Sequence, residues 1–140
     1  MANGYAGDIS PQEAWDLIQN NDQAVLVDVR TDAEWRFVGV PTLEELGREV
    51  AFAQWVTSAG QPNSGFVAEL AGLGLQPDDG RPILFLCRSG QRSIAAAQAA
   101  TAAGYGPAYN ILEGFEGGLD AAGHRGGSGW RAAGLPWKQS

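Results

Sequence analysis

The residues with the clearest chemical potential lie in one short stretch, Cys87 to Ser93, which reads C-R-S-G-Q-R-S. An apolar run at 83–86 precedes it and an alanine-rich run at 94–103 follows it. This order indicates a buried strand, a tight turn and a helix. Cys87 would then lie where the backbone N–H groups of the turn and the positive end of the helix converge. Because both stabilise negative charge, we expect Cys87 to ionise easily and to act as a thiolate nucleophile.

A cysteine at the end of an apolar strand also has a plainer interpretation, as a small buried hydrophobic residue. The cysteine alone does not separate the two interpretations. The residues after it do, because Gly90, Arg92 and Ser93 stand at a strand–turn–helix junction, the context of an anion-binding loop. We therefore interpret Cys87 as a reactive thiol.

The stretch resembles the active-site loop of the rhodanese-like family of sulfurtransferases. The resemblance implies that Cys87 is catalytic: it takes a sulfane sulfur from thiosulfate or a similar donor, becomes a persulfide, and passes the sulfur to a thiol or to cyanide. Four residues separate Cys87 from Arg92, as in sulfurtransferases of this family, whereas the related phosphatases have five residues and a wider loop. The resemblance also implies a substrate-binding and persulfide cradle, formed by Arg88, Ser89, Gly90, Gln91, Arg92 and Ser93.

Two further segments support the resemblance. Asp28 and Arg30 match the D-x-R signature of the family, and the resemblance places a carboxylate at Glu34. We expect Asp28, Arg30 and Glu34 to give structural support, because a carboxylate beside the thiolate would oppose its ionisation. Residues 38–42 (V-G-V-P-T) depart from the G-H-I-P-G segment that the family often has. The missing histidine is not the sulfur carrier, so the expected chemistry is unaffected.

Three other functions use the same residues differently. A cysteine phosphatase or arsenate reductase would use the same thiolate, although the four-residue spacing argues against a phosphatase. A persulfide carrier or regulatory module would accept sulfur at Cys87 and act on a protein partner. A catalytically silent domain would require that Cys87 does not ionise at neutral pH.

The elements that position the loop can be predicted from apolar patterns. Residues 1–8 are interpreted as a loose tail, and Ser10 with Glu13 predicts a capped helix start at Pro11. The predicted strands lie at 24–27, 50–56, 83–86 and 108–112, and further helices lie at 66–73 and 91–103.

This alternation of strands and helices predicts an α/β fold with an open, mostly parallel central sheet flanked by helices on both faces. The rhodanese resemblance implies the same architecture. We expect a single domain over 1–140, with a core of about 9–118 followed by a glycine-rich loop and a docked tail over 119–140. One or both of Trp130 and Trp137 would anchor the tail. We interpret His124, within the glycine-rich loop, as exposed rather than as a general base.

Composition and net charge limit the classes of partner that we expect the protein to bind. The net charge of −7 argues against nucleic acid and anionic membranes, which need a basic face. The arginines around the loop would instead attract a small anionic sulfur donor, with a thiol, including one on a protein, or cyanide as acceptor. No apolar run approaches the ~20 residues of a membrane span. A lone cysteine suits a reducing compartment, so we expect a cytoplasmic protein. We expect neither a metal nor a cofactor, because one cysteine and one histidine do not form a ligand set.

Overall fold

The computed structural model describes residues 4–57, 59–119 and 121–139. Strands and helices alternate along most of the chain. The strands are β1 (Gly7–Ile9), β2 (Val25–Asp28), β3 (Val40–Pro41), β4 (Ala51–Phe52), β5 (Ile83–Leu86), β6 (Ala108–Ile111) and β7 (Trp137–Lys138). The α-helices are α1 (Pro11–Asn20), α2 (Asp32–Phe37), α3 (Phe66–Gly72) and α4 (Arg92–Ala102), and a short 3₁₀ helix spans Glu44–Leu46.

The centre of the protein is a five-stranded sheet with the order β1-β6-β5-β2-β4. Every pairing between neighbouring strands in it is parallel. The predicted α/β class with a mostly parallel sheet is therefore confirmed. β2 and β5 pair with Asp28 opposite Leu86, so the residues that follow both strands emerge at the same edge of the sheet. This register brings the D-x-R segment beside the Cys87 loop.

The two faces of the sheet carry separate apolar clusters. Along β5, Ile83 and Phe85 face one cluster, with α3 and α4, whereas Leu84 and Leu86 face the other, with α1. This alternation follows from the period of two in a strand. It explains why β5 is apolar throughout, since helices cover both faces. Cys87 continues the alternation and lies on the α3–α4 face.

Local signals set the start of α1, as predicted, and the start of α2. Ser10 accepts a hydrogen bond from the N–H of Glu13, whose carboxylate accepts one from the N–H of Ser10. Thr31 and Glu34 form the same reciprocal capping box at the start of α2. Each box satisfies N–H groups that the first turn of a helix leaves without partners.

The structure corrects two expectations about strands. Residues 4–8 are not a loose tail: Tyr5 is buried, and β1 pairs with β6. Met1–Asn3, the rest of the predicted tail, lie outside the described residues. The strand expected over 50–56 is shorter, since only Ala51–Phe52 pair with the sheet. Val56 instead forms an isolated bridge with Pro62, because the chain turns back on itself there.

A C-terminal segment packs against the core beyond the last strand of the sheet. Trp130 is fully buried and meets Trp15 edge-on, with 6.1 Å between ring centroids. Its indole N–H donates to the carbonyl of Pro136 at 2.8 Å. The chain then forms β7, which pairs antiparallel with β3. Within the described residues, no helix combines the length and apolar character needed to cross a membrane.

Replacement of Trp130 tests whether this segment contributes to stability. We expect Trp130→Ala to lower the free energy of unfolding by about 3–5 kcal/mol, because a large buried side chain leaves a cavity. Urea denaturation followed by far-ultraviolet circular dichroism measures the change. The control is Phe37→Ala, whose ring is 75% exposed and whose loss should change stability by about 0.5 kcal/mol at most. A loss below about 1 kcal/mol for Trp130→Ala would contradict a structural role for the tail.

Candidate functional site

The candidate site is the loop between β5 and α4. Cys87 directly follows β5, and α4 begins at Arg92. The cysteine is 1% exposed. Its Sγ accepts a hydrogen bond from the Gly90 N–H at 3.0 Å and lies 3.2 Å from the Ser93 Oγ. The sulfur is therefore enclosed and contacts polar groups of the Cys87–Ser93 stretch, while the residue also belongs to the apolar cluster on the α3–α4 face.

The loop backbone is held from one side by the turn that follows β6. The carbonyl of Cys87 accepts the Phe115 N–H at 2.8 Å, and the carbonyl of Arg88 accepts the Glu116 N–H at 3.0 Å. In a trans peptide the N–H of the next residue points opposite to the carbonyl. The N–H groups of Arg88 and Ser89 therefore point away from this turn and are not used by it.

Two glycines make this arrangement sterically possible. Gly114 has φ +58°, and a Cβ there would lie 2.3 Å from the carbonyl oxygen of Cys87. Gly90 has φ +102°, in the left-handed region, and a Cβ there would lie 3.2 Å from the Glu113 nitrogen. A side chain at Gly114 would push the turn away from the loop, and one at Gly90 would strain the peptide that donates to Cys87.

Asp28 and Arg30 form a fully buried ion pair at the end of β2. The guanidinium contacts the carboxylate at 2.7 Å, donates to the carbonyl of Gly39 at 2.8 Å, and lies over the ring of Phe115 with its Cζ 4.2 Å from the centroid. Arg30 thus connects three segments: the end of β2, the chain before β3 and the turn that holds the Cys87 loop. Such contacts can hold these segments together, and structural support by Asp28 and Arg30 stays a prediction.

Glu34 pairs with Arg92 through two hydrogen bonds of 2.7 and 3.0 Å. Burial alone would raise the pKa of Glu34, but the hydrogen bonds from Arg92 and Thr31 and the charge of Arg92 outweigh it and hold that pKa below its usual value. The hydrogen bond to Glu34 in turn raises the pKa of Arg92, and the charges of Glu34, Cys87 and Asp28 add to this effect. Arg92 therefore remains a cation whose two terminal nitrogens are engaged by the carboxylate of Glu34.

The remaining loop side chains are more open. Arg88 is 46% exposed, and its Nε lies 3.4 Å from a carboxylate oxygen of Glu116. Ser89 is half-buried and Gln91 is exposed. Ser89 lines a surface depression of about 450 Å³ whose other walls come from residues after β6. These are Glu113, Gly118, Leu119, Gly127 and Ser128.

Sequence reasoning missed a polar row behind the loop. Ser93 contacts the side chain of Asn110 at 2.5 Å, and Asn110 in turn donates to Asp8 at 3.0 Å. Ser93 and Asn110 are both buried. A signal was available, because Asn110 interrupts an otherwise apolar strand. Glu116, the partner of Arg88, was also missed, since nothing in the sequence pairs the two.

Two further expectations concern His124 and metal binding. His124 is exposed, as the sequence analysis expected. Across the described ranges, 4–57, 59–119 and 121–139, no group of three or more His, Cys, Asp or Glu side chains could hold a metal ion.

The Glu34–Arg92 pair makes stability depend on pH in a defined direction. The folded protein holds the pKa of Glu34 below the ordinary value of 4.5. The stabilisation from this pair is therefore complete above that pH and disappears as the pH falls through the lower, folded-state pKa. We expect the stability difference between wild type and Glu34→Gln to be largest near pH 7 and to shrink as the pH falls through the lowered, folded-state pKa of Glu34.

Urea denaturation at several pH values from 7 to 3 measures this difference. Glu45→Gln, at an exposed position, serves as the control for loss of a surface carboxylate. A difference between wild type and Glu34→Gln that stays constant across the range would show that the ionised carboxylate of Glu34 does not brace the loop.

Comparison with known proteins agrees with this geometry. A family model described as a rhodanese-like domain matches residues 10–121. An uncharacterized protein of Rickettsia conorii is 40% identical over 131 residues, which cover 93% of this chain and 95% of that protein.

Two solved structures are similar to the chain over most of its length. The chain is similar to the crystal structure of Rv0390 from M. tuberculosis, with 60% identity, a TM-score of 0.89, and coverage of 97% of this chain and 99% of that one. It is also similar to the polysulfide-sulfur transferase homodimer from Wolinella succinogenes, with 25% identity, a TM-score of 0.61, and coverage of 95% and 78%. Because the family model matches residues 10–121, most of the chain, this protein belongs to the family of rhodanese-like domains.

Proposed function

We propose that this protein is a sulfurtransferase that moves sulfane sulfur from thiosulfate, or a similar small anionic donor, to a thiol or cyanide through a persulfide on Cys87. The observation that carries the proposal is the enclosed Cys87 sulfur, which accepts the Gly90 N–H at 3.0 Å in a loop with four residues between Cys87 and Arg92. The polysulfide-sulfur transferase from Wolinella succinogenes, to which the chain is 25% identical, supports the same class of chemistry.

The reaction has two balanced steps. In the first, the Cys87 thiolate attacks the outer sulfur of thiosulfate; the new S–S bond forms, the old one breaks, and sulfite leaves with the bonding electron pair. In the second, cyanide or a thiolate attacks the outer sulfur of the persulfide and regenerates the Cys87 thiolate. A covalent intermediate of this kind gives ping-pong kinetics.

The loop residues have different roles in these steps. The N–H groups of Arg88 and Ser89, which the turn after β6 leaves unused, are suited to hold the negatively charged outer sulfur. Arg92 is paired with Glu34, so we assign it mainly to shaping the loop and to contributing positive charge near it. Arg88 is exposed and less tightly paired, so we assign it to the donor anion.

Two alternative functions make different use of the same thiol. A persulfide carrier or regulatory module would load Cys87 but pass sulfur to a protein rather than to a small acceptor. A cysteine phosphatase or arsenate reductase is disfavoured because four residues, not five, lie between Cys87 and Arg92. We place the protein in the cytoplasm, since a free thiol nucleophile needs reducing surroundings.

Mass spectrometry of the intact protein tests the covalent step. After incubation with thiosulfate, wild type should gain the mass of one sulfur atom, and Cys87→Ser should gain none. Added cyanide should remove the extra mass and release thiocyanate. Sulfur uptake or thiocyanate formation by Cys87→Ser would reject the scheme. Uptake without release to cyanide would favour the carrier function, and hydrolysis of an aryl phosphate would favour the phosphatase.

Two substitutions test the role of Arg88. Arg88→Ala should raise the KM for thiosulfate about tenfold with a smaller change in kcat, because a charged hydrogen bond to the donor is lost. Glu116→Gln should lower that KM about two- to fivefold, because it removes the carboxylate that competes for Arg88. Steady-state thiocyanate assays measure both, with Arg36→Ala, an exposed position on α2, as the control for lost charge. An unchanged KM in Arg88→Ala would remove its assigned contact.

A further inference from the structure

A row of hydrogen-bonded side chains runs from Cys87 to the surface. The Ser93 Oγ lies 3.2 Å from the Cys87 Sγ and 2.5 Å from the Asn110 Oδ1. The Asn110 Nδ2 donates to the Asp8 Oδ1 at 3.0 Å, and the Tyr5 hydroxyl donates to the same oxygen at 2.7 Å. Ser93 and Asn110 are buried, whereas Asp8 is exposed. The row spans β1, β6 and the first turn of α4.

Chemistry at the Asp8 end sets the direction of every bond in the row. An ionised carboxylate only accepts hydrogen bonds, so the amide NH₂ of Asn110 must face Asp8. The amide oxygen of Asn110 then faces Ser93, and a carbonyl oxygen also only accepts. Ser93 has one hydroxyl proton, which this oxygen takes. The lone pairs of Ser93 are therefore what remains to face Cys87.

The Tyr5 contact reinforces this direction. The hydrogen bond to Asp8 raises the pKa of Tyr5, with burial and the charge of Asp8 acting in the same sense. The phenol thus keeps its proton and donates it, which leaves Asp8 as an acceptor from both of its neighbours.

We propose that Asp8 and Asn110 are positioning residues that keep the Ser93 hydroxyl pointed away from Cys87, so that resting Cys87 is held as a thiol donating to Ser93. The thiolate forms when the Ser93 hydroxyl turns from Asn110 to the sulfur and the thiol proton leaves to solvent. The proposal rests on the proposed nucleophilic role of Cys87, but it concerns ionisation and can be tested without sulfur transfer. The row is not a proton wire, because an amide does not pass protons as a hydroxyl does.

The orientation of the neutral Ser93 hydroxyl can affect ionisation of Cys87 because the charged groups nearby are mostly paired. The charged groups on the neighbouring elements are largely paired with one another, so they cancel much of each other's field at the sulfur. They are Asp28 with Arg30 after β2, Glu34 on α2 with Arg92 on α4, and Glu116 after β6 with Arg88 and Arg131. In addition to these pairs, the carboxylate of Asp8 lies at the outer end of the row.

The row also distinguishes the two forms of Cys87 in the catalytic cycle. A free thiolate carries its charge on Sγ and needs a donor from Ser93. In the persulfide, Sγ is neutral and the charge lies on the outer sulfur, so the Ser93 hydroxyl can again donate its hydrogen bond to the Asn110 oxygen. The row therefore favours the persulfide over the free thiolate.

The pH dependence of alkylation tests the proposal, because Cys87 is the only cysteine in the chain. Iodoacetamide reacts with the thiolate, and its rate against pH gives the ionisation midpoint. In Asp8→Asn, residue 8 can donate to the Asn110 oxygen, Asn110 can turn its NH₂ toward Ser93, and Ser93 can donate to the thiolate. The midpoint should fall, and the rate well below the midpoint should rise about tenfold.

Asn110→Ala frees the same hydroxyl without changing any charge and should shift the midpoint in the same direction. The loss of charge in Asp8→Asn is controlled by a repeat in about 1 M salt, where screening acts within about 3 Å. In a Ser93→Ala background, Asp8→Asn should have no further effect, because the hydroxyl through which it acts is absent. Circular dichroism confirms that each variant folds.

Two results would overturn the proposal: an unchanged midpoint in Asp8→Asn, or an equal shift with and without Ser93. Failure of sulfur uptake by wild type, with the midpoint shift present, would overturn the proposed function but leave this inference standing. Sulfur uptake by wild type with no midpoint shift in Asp8→Asn would overturn this inference and leave the proposed function standing.

Discussion

The site depends on two backbone hydrogen bonds between segments that are far apart in sequence. The carbonyls of Cys87 and Arg88 accept the N–H groups of Phe115 and Glu116. A loop that leaves a strand and enters a helix within five residues cannot satisfy its own carbonyls, so another segment must do so. Because these carbonyls turn toward residues 114–116, the following N–H groups turn to the opposite side. The donors available to an anion are thus set by the turn after β6.

The C-terminal segment secures that turn in its own way. The carbonyl of Gly114 accepts the Trp130 N–H at 2.8 Å, and the carbonyl of Phe115 accepts the Arg131 N–H at 3.3 Å. The guanidinium of Arg131 also lies over the rings of Phe115 and Trp137, which contact each other edge to face. A chain of contacts therefore leads from the buried indole of Trp130 to the turn and from the turn to the Cys87 loop, so the tail contributes to the geometry of the site.

Much of this could be predicted from sequence where the signal is local. The strand, turn and helix around Cys87 follow from an apolar run, a glycine and an alanine-rich run, and both capping boxes follow from residues three apart. The Asp28–Arg30 pair could be expected because the two side chains leave the same strand end. Glu34 could be assigned to structural support, although only the fold reveals Arg92, 58 positions away, as its partner.

The features that were missed depend on long-range pairing. β1 is a three-residue strand whose pairing partner lies about 100 residues further along the chain, so its polar, glycine-containing sequence gives no strand pattern. β3 and β7 are two residues each and exist because Pro41 and Trp137 are brought together. Position 39, just before β3, requires glycine, because its φ is +118° and a Cβ there would lie 2.7 Å from the Lys138 carbonyl oxygen. That requirement becomes visible only when the tail is in place.

The buried polar residues explain why the interior has this composition. Among the described residues, those that are buried and polar or charged all lie at the site or in the contacts that brace it. They are Asp28, Arg30, Thr31, Ser93, Asn110 and Glu116. A buried polar group without a partner costs about 1–3 kcal/mol, so each of these residues needs polar contacts inside the folded chain. Thr31 caps α2, Asp28 and Arg30 join three segments, and the others contact the Cys87–Ser93 stretch or its neighbours, so each buried polar residue has a partner that accounts for its position.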